Sequence, residues 1–213
     1  MGDTINISLF ECVLFDFDDT LVMSGDIHEA AYRSVFELIG ISIEFDYASF
    51  RGEETCKVFE RLGFTSLESQ NLSKLKSARY ADIAQKQLRS SPCVREIVDF
   101  LLSAGKRIGI VSNGSERSIH LGLQLIGLSN SFEVVISRDH VAEGKPNPEG
   151  ILMAIRHFDC LGGNTLFIDD SVGGIQAANC AGVRSVKIGS IEKSATYNIE
   201  NMCDLLVEFR SGR

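Results

Sequence analysis

The run Cys12-Val13-Leu14-Phe15-Asp16-Phe17-Asp18-Asp19-Thr20 passes from apolar residues into three carboxylates. Four apolar residues bounded by charge predict a fully buried strand with acids at its end. In an open α/β sheet that end is where ligands bind. Asp16 and Asp18 are two apart, so extended backbone would aim both to one side. Like charges held that close are costly unless a cation or a shared proton separates them. A hard divalent ion, Mg²⁺ by preference, is the simplest remedy. The pair Asp169-Asp170, after the apolar run ending in Phe167-Ile168, repeats the same logic. A calcium loop fits poorly: counting from Asp16, Leu21 stands where Gly is required and Ile27 where the bidentate Glu belongs. A plain acidic turn is the remaining alternative.

Two further strand ends carry suitable groups. Arg107 to Val111 is a short apolar strand followed by Ser112-Asn113-Gly114. A hydroxyl, an amide and a Gly at a strand-to-helix turn make a neutral anion site, because the next helix offers free N–H groups; Ser-Asn-Gly is also a common turn. Lys145 lies in Glu143-Gly144-Lys145-Pro146-Asn147-Pro148, where two prolines fix the backbone beside it. A surface loop lysine is the plain alternative.

These groups must be positioned by alternating strands and helices. Leu9 to Phe15 is read as the first strand. Helices are expected at Ile27 to Ile39, Glu53 to Leu62 and Leu72 to Leu88. From Phe45 to Pro92, eight Lys or Arg oppose six acids and no parallel strand is foreseen. That stretch reads as a helical insert whose charge suits an anionic substrate, although the same charges could simply solvate helices. After Pro92 the pattern is strictly helix then strand: Val94, Ile97, Val98, Leu101 and Leu102 mark a helix face. Strands follow at Arg107 to Val111, Phe132 to Ile136, Thr165 to Ile168 and Val183 to Ile188, the last one foreseen. Asn147 is read as a helix cap with Pro148 in first helical position, and Met202 to Phe209 as a closing helix. Such alternation means a parallel sheet with right-handed crossovers.

The 213 residues suit one core plus a modest insert. No run of eighteen apolar residues exists, so no membrane helix is expected. Met1 to Phe10 holds Asp3 and no Lys or Arg, so no secretory leader is expected and the cytoplasm is the anticipated location. A formal net charge of −8 argues against nucleic acid or anionic membrane as partner. Six cysteines without a C-x-x-C pair are read as free thiols, Cys12 and Cys180 as buried ones.

Asp-Phe-Asp-Asp-Thr after an apolar strand resembles motif I of the haloacid dehalogenase-like (HAD) hydrolases, Asp-x-Asp-x-Thr. Asp19 departs from the Gly usual after the second Asp. Ser112 resembles motif II, and Lys145-Pro146-Asn147-Pro148-Glu149 is similar to motif III of the phosphatase and mutase branch. Asp170-Ser171-Val172-Gly173-Gly174-Ile175-Gln176-Ala177-Ala178 is similar to motif IV, with Asp169 where Glu is frequent. The resemblance spans Asp16 to Ala178. It implies an α/β fold, a doubly wound parallel Rossmann-like sheet of residues 1–22 and 93–213, with a small all-helical cap, residues 23–92, inserted after the first strand. It implies Asp16 as nucleophile and Asp18 as general acid and base. Ser112, Asn113 and Lys145 would bind phosphate, and Mg²⁺ would sit on Asp16, the Asp18 carbonyl, Asp170 and Asp169. The substrate implied is a small phosphorylated metabolite, probed from the cap by His28 and Arg51, in a monomer or weak dimer. Within that branch, sugar-phosphate phosphatases, 6-phosphogluconate phosphatases among them, stand beside β-phosphoglucomutase. Phe50-Arg51-Gly52 is similar to the phosphatase cap, whereas His28 sits where the mutases carry a His. A dehalogenase would lack Asp18. A phosphorelay receiver shares the residue types, but its acidic pair precedes its phospho-acceptor, the reverse of the order here.

Overall fold

The computed structural model describes residues 4–212; Asp3 and the extreme ends of the expected core segments lie outside them. Six strands form one parallel sheet in the order β5-β4-β1-β6-β7-β8: β1 Cys12–Phe15, β4 Arg107–Val111, β5 Val134–Ile136, β6 Thr165–Asp169, β7 Arg184–Ile188 and β8 Tyr197–Ile199. β1 is central, paired in register with β4 (Leu14 to Gly109) and β6 (Leu14 to Phe167). Its side chains alternate between two cores: Val13 and Phe15 join one face, Cys12 and Leu14 the other. That explains an unbroken apolar run, since helices cover both faces. α4 (Val94–Ser103), α5 (Glu116–Leu125) and α8 (Met202–Ser211) pack on the first face; α6 (Glu149–Phe158) and α7 (Val172–Cys180) pack on the second.

The helical cap leaves the sheet through β2 (Val22–Met23) and returns through β3 (Arg89–Ser90), which pair antiparallel as a two-stranded neck. Between them lie α1 (Gly25–Leu38), α2 (Thr55–Arg61) and α3 (Ser66–Gln87). Tyr32, Val35, Phe36, Phe45, Tyr47, Val58 and Phe59 form their own apolar cluster, apart from the sheet's two. The lower ends of α1 and α3 (Ile27, Ala31, Tyr80, Ala84) join the core beneath. α3 begins six residues before the expected Leu72, at a capping box between Thr65 and Glu68.

Several expectations need correction. The first strand is shorter than foreseen, because Ile7–Leu9 forms a 3-10 turn. Pro148 is the cap residue of α6, with the Asn147 side chain accepting from Glu149 N at 2.9 Å. β7 is not the last strand: β8 adds an edge of three partly exposed residues, too short for an alternating pattern. The six free thiols are also overturned. Cys12 pairs with Cys160 and Cys93 with Cys203, across 148 and 110 residues of chain. Separations of that size have no local signature; only the folded sheet brings the partners together. Cys56 and Cys180 stay unpaired, and Cys180 is exposed rather than buried. No helix among the described residues is long and apolar enough to cross a membrane.

Candidate active site

The ends of β1, β4 and β6 and the loop after β5 converge beneath the cap. Asp16 directly follows β1, held by its N–H donating to the Ile168 carbonyl at 2.8 Å. The Lys145 ammonium lies between two carboxylates, 2.6 Å from Asp16 Oδ1 and 2.6 Å from Asp169 Oδ2. The other Asp169 oxygen accepts from Ser171 N and Oγ, both at 2.6 Å. Both Asp169 oxygens are therefore hydrogen-bonded, with one acceptor site left on Oδ2. Gly174, in the first turn of α7, is required here: a Cβ at that position would run into the Asp169 carboxylate. Burial alone would pull Lys145 down, but Asp16 and Asp169 hold its ammonium above the ordinary lysine value.

Carboxylate oxygens of Asp16, Asp169 and Asp170 gather within 4.8 Å of one another. The Lys145 ammonium and the Arg51 guanidinium, 3.6 Å from Asp170 Oδ2, face these three carboxylates, so the group stays net negative. Burial first, and then the neighbouring Asp169 and Asp170, push the Asp16 carboxyl well above the usual carboxylate range. The Asp170 carboxyl is pushed up to about 7, chiefly by burial, then by Asp169 and Asp19. Thr20 Oγ1 donates to Asp170 Oδ1 at 3.3 Å, while Asp170 Oδ2 is buried with no hydrogen-bond partner. A buried oxygen that has the Arg51 guanidinium at 3.6 Å but no hydrogen bond, in a net-negative oxygen-rich cluster, fits a hard cation. Asp18 does not contribute its side chain to this cluster.

The Asp18 side chain faces the cap instead. Its Oδ1 accepts from Ser24 Oγ at 2.7 Å and lies 3.0 Å from His28 Nε2. His28 is stacked between the rings of Tyr47 and Tyr80, and its Nδ1 meets the Lys76 ammonium. Because the ammonium can only donate to Nδ1, the ring proton sits on Nε2 and is donated to Asp18. Burial and then Lys76 lower the His28 pKa, so the ring is neutral near pH 7. Burial would raise Asp18, yet His28, Ser24 and Lys76 hold it at about 2. With His28 neutral, the hydrogen bonds and the Lys76 charge maintain that ionisation.

Ser112 is buried at the end of β4 and accepts from Gly114 N at 3.0 Å. The Asn113 amide is spent elsewhere: Nδ2 donates to the carbonyls of Gly52 and Lys145, and Oδ1 accepts from Lys145 N. Its side chain clamps loops together at the cavity wall, with its amide already engaged by Gly52 and Lys145. Arg51 pairs with Asp19 at 3.3 Å and Asp170 at 3.6 Å. A cavity of about 450 Å³ runs from Asp16 and Ser112 up to Tyr32, Tyr47, Ser73, Lys76 and Ser77 of the cap.

Several residues here escaped sequence reasoning. Asp19 has φ +56°, the left-handed region that explains why Gly is usual there. Its carboxylate accepts from Ser24 N and Gly25 N, fastening the start of α1. Lys76 was legible only as one basic residue among eight. Its signal is phase: Ser69, Lys76, Tyr80 and Ala84 form the buried face of α3.

The fold and this acidic site define a hydrolase of the haloacid dehalogenase-like family: the family's model matches residues 13–188, and the chain belongs to it. Among its relatives, the phosphoglycolate phosphatase of Nitrosococcus oceani is 29% identical over 185 residues, 83% of this chain and 82% of the relative. The phosphorylated carbohydrates phosphatase of Thermotoga maritima is 26% identical over 184 residues, 83% of each chain. The fold resembles that of CbbY from Rhodobacter sphaeroides in complex with phosphate, with a TM-score of 0.84 and 21% identity over 94% of this chain and 99% of that one.

Proposed function

We propose that this hydrolase is a Mg²⁺-dependent phosphatase of a small phosphorylated metabolite, a sugar phosphate or phosphorylated acid, working through an aspartyl-phosphate on Asp16. One observation carries the reading: Asp16, Lys145 and Asp170 line the same cavity as Asp18, with Asp169 buried behind Lys145. A dehalogenase has no use for the second carboxylate. The names of the Nitrosococcus oceani and Thermotoga maritima relatives support the substrate class.

In this mechanism an Asp16 oxygen attacks phosphorus, and the bond to the leaving alkoxide breaks. For this step Asp18 must take up a proton, which a phosphate-ester monoanion brings as it binds. It delivers that proton to the leaving oxygen and, again a carboxylate, takes one from the water that attacks the aspartyl-phosphate. The chain His28–Lys76 behind Asp18 supplies the proton donor that keeps its carboxylate oriented. Lys145 and Ser112, with N–H groups at the start of α5, donate to phosphoryl oxygens. A divalent cation, held by Asp16, Asp170 and Asp169, would offset the repulsion between the Asp16 carboxylate and the phosphoryl group. Residues 23–92 act as the cap that shuts over the substrate and excludes water.

The test is release of inorganic phosphate from a panel of sugar phosphates, phosphoglycolate and pyrophosphate, with Mg²⁺ and after EDTA. Release that needs Mg²⁺ supports the reading, and activity surviving exhaustive chelation contradicts the metal assignment. Feeding β-glucose 1-phosphate with a trace of the bisphosphate decides against a mutase if no glucose 6-phosphate accumulates by NMR.

A further inference from the structure

Residues 51–54 lie in the cap, between a 3-10 turn (Tyr47–Phe50) and α2. Yet they touch the loops that follow four different strands of the sheet. Arg51 reaches Asp19 after β1 and Asp170 after β6. The Gly52 carbonyl accepts from Asn113 Nδ2, after β4, at 2.7 Å. Glu54 reaches the loop after β5 twice: Oε1 accepts from Gly144 N at 3.3 Å, and Oε2 lies 2.7 Å from Arg138 Nε. Arg138 is itself held in that loop, donating to the Val141 carbonyl at 2.7 Å and the Ala142 carbonyl at 3.2 Å.

The Glu54 and Gly52 contacts converge on one residue. Gly144, whose N–H Glu54 holds, immediately precedes Lys145. Asn113, which holds Gly52 of the cap, grips both backbone groups of Lys145, at 2.8 Å to its N–H and 2.9 Å to its carbonyl. A Cβ on Gly144 would strike Asn113 Oδ1 and approach Glu54 Oε1, so the loop is packed tightly between them. Glu54 is 8% exposed. A carboxylate so placed is retained only with strong partners, and it finds them solely on the sheet side and in Lys57 on its own helix.

We propose that Glu54 is a positioning residue, which makes the placement of Lys145 between Asp16 and Asp169 depend on the cap being shut. With the cap open, Gly144 N and Arg138 lose their partner and Asn113 loses Gly52, so the Lys145 loop is tied only to the sheet. With the cap shut, the loops after four neighbouring strands are locked against one cap segment, and the ammonium is fixed for transfer. The device rests on the phosphatase reading above for its catalytic consequence, but not for its geometry.

The experiment compares wild type with Glu54→Ala, Glu54→Gln and Gly144→Ala. It reads kcat and KM for one turned-over phosphate ester, thermal stability, and amide hydrogen exchange of residues 143–147. Glu54→Ala is expected to lower kcat about tenfold or more while KM moves less than about threefold, because misplacing a reacting group penalises turnover. Exchange at 143–147 should rise about fivefold or more, while exchange along β1 and β6 stays at the wild-type level. Glu54→Gln keeps an acceptor for Gly144 N and should retain more of kcat than Glu54→Ala. Gly144→Ala, whose Cβ would press on both Asn113 Oδ1 and Glu54 Oε1, should lower kcat at least as far as Glu54→Ala does. The proposal is overturned if Glu54→Ala keeps wild-type kcat, if KM alone rises, or if exchange at 143–147 is unchanged. Exchange needs no turnover. A wild type that releases no phosphate would therefore refute the phosphatase reading while the exchange data still decide the role of Glu54.

Discussion

Two carboxylates two residues apart, Asp16 and Asp18, meet opposite environments. Asp16 is pushed up by burial and then by its acidic neighbours, while His28, Ser24 and Lys76 hold Asp18 at about 2 against its burial. A divalent cation on Asp16 and Asp170 would hold Asp16 ionised for attack, and Asp18, ionised at rest, must gain a proton before it can act as the acid. Asp18→Asn is expected to cost about 10²–10⁴-fold in kcat on a sugar phosphate. The loss should be much smaller on p-nitrophenyl phosphate, whose leaving group needs no proton; equal losses on both would show that Asp18 only supports the fold of the site. Lys76 shows the stability cost of function. Burial lowers its pKa to about 8 from an ordinary 10.5. The unfolded chain therefore binds that proton more tightly, and the penalty is present in full below about pH 8. It fades as pH rises from about 8 toward 10.5, and it is on the order of 3 kcal/mol. Lys76→Met is expected to be inactive or nearly so on substrate, yet to melt several degrees higher at pH 7, with the gap to wild type closing by about pH 10. A variant that melts lower at pH 7 would contradict a net cost of the buried ammonium.

At the scale of elements, the site depends on close approaches that only small residues allow. α7 starts against Asp169 through Gly174, so Gly174→Ala should displace the carboxylate that half-holds Lys145. Turnover is expected to fall about 10²-fold while far-ultraviolet circular dichroism stays native; unchanged turnover would show that Asp169 tolerates the shift. The strands that carry the chemistry were legible because each is an apolar run, buried on both faces, cut off abruptly by Asp16, Ser112 or Asp169. β2, β3 and β8 were not, since two or three residues cannot display a period. Their pairing is decided by the neck and the sheet edge, which are tertiary facts. The start of α3 was legible in principle: Thr65 followed three residues later by Glu68 is a capping box. Asn113 illustrates the opposite limit. Its position after β4 was readable, but its amide's service to Gly52 and Lys145 depends on loops 61 and 32 residues away.

In the molecule as a whole, the cap closes the cavity with aromatic rings and the cations Arg51 and Lys76, and the sheet's loops supply most of the acids. The same sheet brings distant cysteines together. Alkylation of the unfolded, unreduced protein should therefore label two thiols, Cys56 and Cys180; six labels would mean that neither bond forms in the isolated protein. The central claim is that phosphoryl transfer passes through Asp16. Its most direct test is a crystal structure of the protein with Mg²⁺ and beryllofluoride, a mimic of the acyl phosphate. The expected result is beryllium bonded to an Asp16 carboxylate oxygen, with Lys145 and Ser112 donating to the fluorides. Beryllofluoride attached to any other side chain, or phosphatase activity retained by Asp16→Asn, would contradict the account.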